Sequence, residues 1–334
     1  MSSFFFSRLL LPTFIFASCF SSVAQAADQA TLDVLMRMQT ASENINYHGT
    51  LVFLQNGQVQ SMRVVHKADG TGRFERLINL NGVAREVVRK DNLLICYMPD
   101  SKEVMVSRQK FKGNVNVLTQ LAGNDFAELQ KNYEFTLETV ERIAGREAQR
   151  VLIQPKDNLR YGYRLWVDNE KSILLKSDLL NERGESLEQA MFADIAIVDR
   201  IPENLLQPTS TGDGFTWYER ESDSSTSMIS DSDWKIEPLP KGFTVSSRFR
   251  HQMLGASVPS EHWVLSDGLA NISIYFEKLT DGQDTFEGIS PMGVVNAFGI
   301  LNAKHQITVI GEVPAGTVEQ LARSVTFSPG VKND

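Results

Sequence analysis

The sequence predicts an α+β protein of two domains, a large one built on a curved antiparallel sheet and a smaller one after it. Three observations carry this expectation. From Asn46 to about Val198, apolar residues alternate or come in short runs, the two-residue period of strands. Asn-Gly and similar turn dipeptides punctuate those runs at hairpin spacing. Between Pro202 and about Trp234 the regularity gives way to a Pro-, Gly- and Ser-rich stretch, after which a second apolar pattern begins. The 334 residues agree, since one domain usually takes roughly 100–200.

Residues 1–26 read as a secretory signal peptide. Arg8 precedes an apolar run, Leu9 to Phe20, that is too short to span a membrane comfortably. Ala24-Gln25-Ala26 then supplies the small residues a signal peptidase reads, with cleavage after Ala26. Cys19, after Phe16-Ala17-Ser18, fits a lipidation box poorly.

A helix is expected over Gln29–Glu43, with Leu32, Leu35, Met36 and Gln39 on one face. Hairpins follow: Gly49–Gln55 with Gln58–His66 around Asn56-Gly57, and Arg73–Leu80 with Val83–Arg89 around Asn81-Gly82. Leu93–Met98 pairs with Val104–Ser107. Two short helices are expected at Asn116–Ala122 and Asp125–Lys131. Tyr161–Val167, Ser172–Leu180 and Leu187–Val198 form a meander. These elements make a domain over 27–204. The polar stretch 205–233 reads as a linker, partly ordered around Phe215, Trp217 and Tyr218.

The second domain is expected over 234–328. Its strands are Phe243–Arg250, Ser260–Leu265, Ile272–Leu279 and Gln306–Val313. Met292–Leu301 reads as a short helix or an irregular apolar segment. Pro314 opens a final helix that runs to Ser324.

Composition narrows the function. A formal net charge of −8 speaks against nucleic-acid binding, and loss of Arg8 with the leader makes the mature chain one unit more acidic. Of the two cysteines, only Cys96 remains after cleavage, so an exported chain forms no internal disulfide; this suits a periplasmic protein with a large core. Cys96 lies in the apolar run Leu93–Tyr97, the setting of a buried, inert thiol. Phosphate-loop, H-E-x-x-H and G-x-S-x-G patterns are absent. The five histidines are scattered, so neither a metal nor another cofactor is expected.

Two features lean toward binding. Leu51, Phe53, Tyr97, Tyr161, Tyr163 and Leu165 lie on strands of the curved sheet, where a covered concave side can hold an apolar cavity; a filled core is the competing reading. An arginine series, Arg73, Arg76, Arg85, Arg89, Arg160 and Arg164, suits phosphate or carboxylate, with outward solubilising charge as the alternative.

Several stretches resemble the MucB/RseB regulators of the envelope-stress sigma factor. The most specific is Arg160-Tyr161-Gly162-Tyr163-Arg164-Leu165-Trp166-Val167-Asp168, continued by Asp178-Leu179-Leu180 and Gly184 to Gln189. Asn81-Gly82 to Val88, Tyr47 to Thr50, Ser266 to Leu269 and Val309 to Pro314 follow the same order. The resemblance implies an N-terminal LolA/LolB-like antiparallel half-barrel covered by helices and a smaller C-terminal α+β domain. It implies a periplasmic, non-enzymatic negative regulator. Such a protein binds the periplasmic part of a membrane-spanning MucA/RseA-like anti-sigma factor and shields it from site-1 proteolysis. Lipid, lipoprotein or lipopolysaccharide would release it. Leu51, Phe53, Tyr97, Tyr161, Tyr163 and Leu165 are then the lipid-cavity candidates, and Arg85, Arg89 and Arg164 the head-group candidates. The alternative is a periplasmic LolA-like lipoprotein or lipid carrier, for which a second domain has no evident use. An unrecognised hydrolase is a third reading. Homo-oligomerisation stays open.

Overall fold

The computed structural model describes residues 20–68, 72–108, 125–210, 212–220, 226–251, 259–280 and 282–329. The leader before residue 20 and the helix expected at Asn116–Ala122 lie outside the described residues. Helix α1 (Phe20–Asn44) spans the backbone at Ala26, whose side chain is likewise outside them. Farther along α1, Thr31, Leu35, Met38 and Ala41 are buried at three- and four-residue spacing. Met36, expected on that face, is 47% exposed. Leu35 and Met38 centre the buried stripe, which turns Met36 toward solvent.

The large sheet has twelve strands. In chain order they are β1 (Asn46–Gln55), β2 (Gln58–Ala68), β3 (Arg73–Asn79), β4 (Glu86–Lys90), β5 (Leu93–Met98), β6 (Glu103–Arg108), β7 (Tyr133–Ile143), β8 (Arg146–Pro155), β9 (Gly162–Asp168), β10 (Leu174–Leu180), β11 (Ser186–Val198) and β12 (Thr216–Arg220). Their spatial order is β12-β6-β5-β4-β3-β2-β1-β11-β10-β9-β8-β7. Two meanders are thus joined at the long β1–β11 pair. Gly49 allows that pairing, because a Cβ there would lie 2.3 Å from the Asp194 carbonyl oxygen. A bulge at Thr50/Leu51 bends the pair, and β7 curls back to touch β11. Helix α2 (Phe126–Leu129), capped by the Asp125 carboxylate, joins α1 on the concave side.

Asn56-Gly57 makes the expected two-residue turn, with φ of 51° and 73°. Asn81-Gly82 does not. β4 starts only at Glu86, so residues 80–85 form a longer loop. The Asn81 side chain accepts from Ser61 N–H and donates to the Val59 carbonyl, which ties it to β2 rather than placing it at a turn centre. The β7–β8 hairpin turns at Ala144-Gly145, a dipeptide with a weaker turn signal.

The stretch read as linker, 205–233, is strap and strand for much of its length. Helix α3 (Glu203–Leu206) and the residues after it cross the outer face of the large sheet. Arg76 holds them there through the Leu205 carbonyl (2.8 Å) and Thr209 Oγ1 (2.6 Å), while also pairing with Glu86 at 2.6 Å. β12 then adds in parallel to β6. β13 (Thr226–Met228) already belongs to the second sheet.

The second sheet adds β15 (Thr244–His251), β16 (Ser260–Ser266), β17 (Asn271–Lys278), β18 (Gly288–Met292), β19 (Val295–Asn302) and β20 (His305–Gly311), in the order β13-β15-β16-β17-β20-β19-β18. A separate pair joins β14 (Trp234–Ile236) to β21 (Val325–Phe327). Helix α4 (Ala315–Arg323) follows Pro314, lies on β19 and β20, and buries Val318, Leu321 and Ala322 in the core that also holds Phe298 and Val309. Met292–Leu301 is neither helix nor irregular: it covers the end of β18 and most of β19, around a turn at Gly293 (φ 73°). Periodicity alone does not type such an unbroken apolar run, and pairing with β20 makes it a strand.

The second domain sits on one end of strands β7–β11 and β1. Arg160 and Asp267, both with fully buried side chains, bond across the seam at 2.6 Å. Tyr133 OH donates to the same carboxylate at 2.8 Å, and the Arg160 guanidinium lies over the Phe243 ring. Thr317 donates to the Leu159 carbonyl, and Asn296 to Tyr161 OH.

Candidate functional site

Residues paired across a sheet share a face, so the register sorts the candidate residues. Leu137, Val151, Leu165, Ser177, Ala190 and Phe53 form one row across β7, β8, β9, β10, β11 and β1. The next row toward the second domain is Phe135, Ile153, Tyr163, Leu179, Glu188 and Gln55. Leu51 sits opposite Phe192 on the other side of the Phe53 row. All of this is the concave face, which α1 and α2 cover with Leu35, Met38, Ala41, Phe126 and Leu129.

Four of the six cavity candidates therefore come together: Leu51, Phe53, Tyr163 and Leu165. Leu51 and Leu165 are fully packed, whereas Phe53 and Tyr163 are half-buried beside Met62, Val87 and Leu137. Burial, then the field of Glu312, pushes the Tyr163 hydroxyl up, so it stays a neutral donor. Tyr161 lies at the end of the face, against Leu179 and Val294 of the seam. Tyr97 is on the opposite, outer face. It pairs with Glu86, whose partner Arg76 alternates with the inward Leu77, and it packs on Val88, Val104 and Trp217. The strand run Leu93–Met98 looks apolar on both sides, so local pattern did not set that parity.

The head-group candidates are not brought together. Arg85 is exposed before β4. Arg89 shares the inner face with Val87 and lies buried, 3.6 Å from Glu75, which also faces His66 at 3.4 Å. Arg164 is on the outer face, 3.6 Å from Glu138. Three arginines of the series, Arg76, Arg89 and Arg160, are thus internal ion-pair partners, which neither reading of the series anticipates. Beside Arg164, a hollow of about 230 Å³ opens on the outer face, lined by Leu152, Gln154, Gly162 and Leu180.

Sequence reasoning missed Glu188. It sits half-buried in the row with Tyr163 and Leu179 and accepts from the Gln55 amide. Loss of water, then the field of Glu312, raises its carboxyl to about 7. Its signal in the sequence was parity: Glu188 falls in step with Ala190 and Phe192, both inward. His251 and His262, the nearest pair of histidines along the chain, stand side by side on the neighbouring strands β15 and β16 with ring centres 5.7 Å apart. Burial, then His251, holds His262 down to about 4. Burial raises the Cys96 thiol. Among the described residues, no three His, Cys, Asp or Glu side chains group as a metal site.

These features define a two-domain binding protein: a half-barrel with an apolar concave face, topped at one end by a smaller α+β domain. Family models for the MucB/RseB N-terminal and C-terminal domains match residues 30–210 and 228–326. The chain belongs to the MucB/RseB family. It is 26% identical over 315 residues to the Sigma-E factor regulatory protein RseB of Haemophilus influenzae, covering 92% of this chain and 94% of that protein. It is 29% identical over 305 residues to the Sigma factor AlgU regulatory protein MucB of Pseudomonas aeruginosa, covering 90% and 92%. The structure of the Pseudomonas aeruginosa MucA/MucB complex matches with a TM-score of 0.70 at 27% identity, over 90% of this chain and all of that one. A crystal structure of MucB matches with a TM-score of 0.59 at 26% identity, over 90% and 98%.

Proposed function

We propose that this chain is a periplasmic negative regulator of a sigma-E-type envelope stress response. It binds the periplasmic part of a MucA/RseA-like anti-sigma factor, shields that segment from site-1 proteolysis, and lets go when lipid or lipopolysaccharide occupies the concave face. The carrying observation is a family match over both domains, together with the likeness to a MucB solved with MucA. The concave face supplies the lipid part of this reading. Phe53 and Tyr163, half-buried over the packed Leu51 and Leu165, offer an apolar surface on which each buried CH₂ contributes about 0.8 kcal/mol. Arg85 is the head-group candidate left exposed. Release requires the lipid to prefer the state that does not hold the anti-sigma segment.

A pull-down with the periplasmic anti-sigma segment, followed by site-1 protease, tests the regulator. Binding and protection are expected, and their absence overturns it. The concave face alone would equally serve a lipid carrier. Transfer of lipoprotein between vesicles, without anti-sigma binding, would establish that second reading.

A further inference from the structure

We propose that the second domain is a proton-responsive stopper on one mouth of the half-barrel, held down while Glu188 is protonated and loosened as Glu188 ionises. The placement comes first. The strand ends that meet the second domain all lie at one end of the concave face, where the row Tyr163, Leu179, Glu188 and Gln55 faces inward. Val294 and Val295, from the turn between β18 and β19, pack on Tyr161, Tyr163, Leu179 and Leu187. Beside them Asn296 donates to Tyr161 OH at 3.2 Å and to the Val313 carbonyl at 2.8 Å. Gly293 reaches the opposing turn, where a Cβ would meet Asn56 Nδ2 at 2.8 Å. The same residues thus end the apolar face and bear the second domain.

Glu188 is the charged group in that inward row. Around it stand the Gln55 amide from β1, Tyr163 from β9 and Glu312, the residue just after β20, whose carboxyl burial also raises. Glu182, in the β10–β11 turn, and Asp267, in the β16–β17 turn, add their fields at Tyr161 and Tyr163. Among the described residues, the charged neighbour whose field raises Glu188 is another carboxylate, Glu312. The seam thus sets a carboxyl, raised by lost water and by a second carboxyl, beside apolar contacts that need dryness. The Arg160–Asp267 pair is the opposite case, a fully neutralised anchor at the other side of the seam.

The sign follows by linkage. Glu188 titrates at about 7 with the stopper down, against an ordinary 4.5 once water returns. The stopper is fully favoured below 4.5, weakens through the interval as pH rises, and loses no more above about 7. Within the interval, the closed-to-open ratio falls by up to about tenfold per pH unit.

Energy transfer between dyes on Val83→Cys and Gln320→Cys, in a Cys96→Ala background of the mature chain, reads the domain separation. Without anti-sigma factor or lipid present, the outcome is independent of the regulatory reading. Transfer should change between pH 4.5 and 7 and stay flat above. Glu188→Gln should remove most of the change, the rest following Glu312, whose carboxyl burial also raises, and Glu312→Gln should move the change to lower pH. Transfer that ignores pH in the parent chain, or an unchanged pH response in Glu188→Gln, overturns the proposal.

Discussion

Leu165 and Phe53 share one row of the concave face but call for different experiments. Leu165 is fully buried, so Leu165→Ala should cost about 2–5 kcal/mol of stability, seen as a lower denaturant midpoint. Phe53 is half-buried, so Phe53→Glu should spare the fold yet abolish lipid-triggered release of the anti-sigma segment. Equal loss of both would make Phe53 plain core. At the seam, Asp267→Ala takes away the cross-domain partner of Arg160, which keeps Asp157, and the acceptor of Tyr133 OH; it should cost about 1–3 kcal/mol by the same measurement. Residue types were legible in the sequence, but partners were not. Arg160 reads as surface charge because the carboxylate that buries it lies 107 positions away. Tyr97 and Tyr163 look alike locally, and only pairing with neighbouring strands puts them on opposite faces.

Elements defined by local chemistry were read correctly. Asn56-Gly57 makes its turn, Pro314 opens its helix, and the helix expected from Asp125 starts there, with Asp125 as its cap, because each signal acts within a few residues. Elements defined by distant neighbours were not. β19 needs β20 beside it, and Asn81 is claimed by β2. The strap after β11 is polar in sequence because it answers Arg76 and Glu86 rather than solvent alone. Thr209 N–H donates to both Glu86 carboxylate oxygens, at 3.1 and 2.9 Å. Glu86→Gln should therefore loosen α3 and its flanks, and limited proteolysis should cut within 203–215 sooner than in the parent chain.

At the scale of the whole molecule, the second domain carries an acid response of its own. His262 titrates at about 4 in the folded second domain against an ordinary 6.5. Unfolding restores that ordinary value, so the unfolded chain takes up the proton first. The stabilising contribution is present above 6.5 and is lost as pH falls through about 4. Denaturant midpoints of the second-domain transition should drop over that interval, and His262→Phe should flatten the drop. The two-domain plan was legible from the break in strand period after Pro202. The packing of one domain against the other was not, since its contacts come from turns that each look like ordinary surface loops.

The strap and β12 also set how far apart the domains can travel. Arg220 ends a strand of the first sheet and Thr226 begins one of the second. Six Cα steps of at most about 3.6 Å separate them, roughly 20 Å of leash. A domain that lets go therefore stays at millimolar effective concentration over its own docking site. Opening is reversible on a first-order clock, independent of how much protein the cell makes. Any ligand that keeps the domains apart must outcompete that local concentration, so weak or sparse occupants leave the molecule shut.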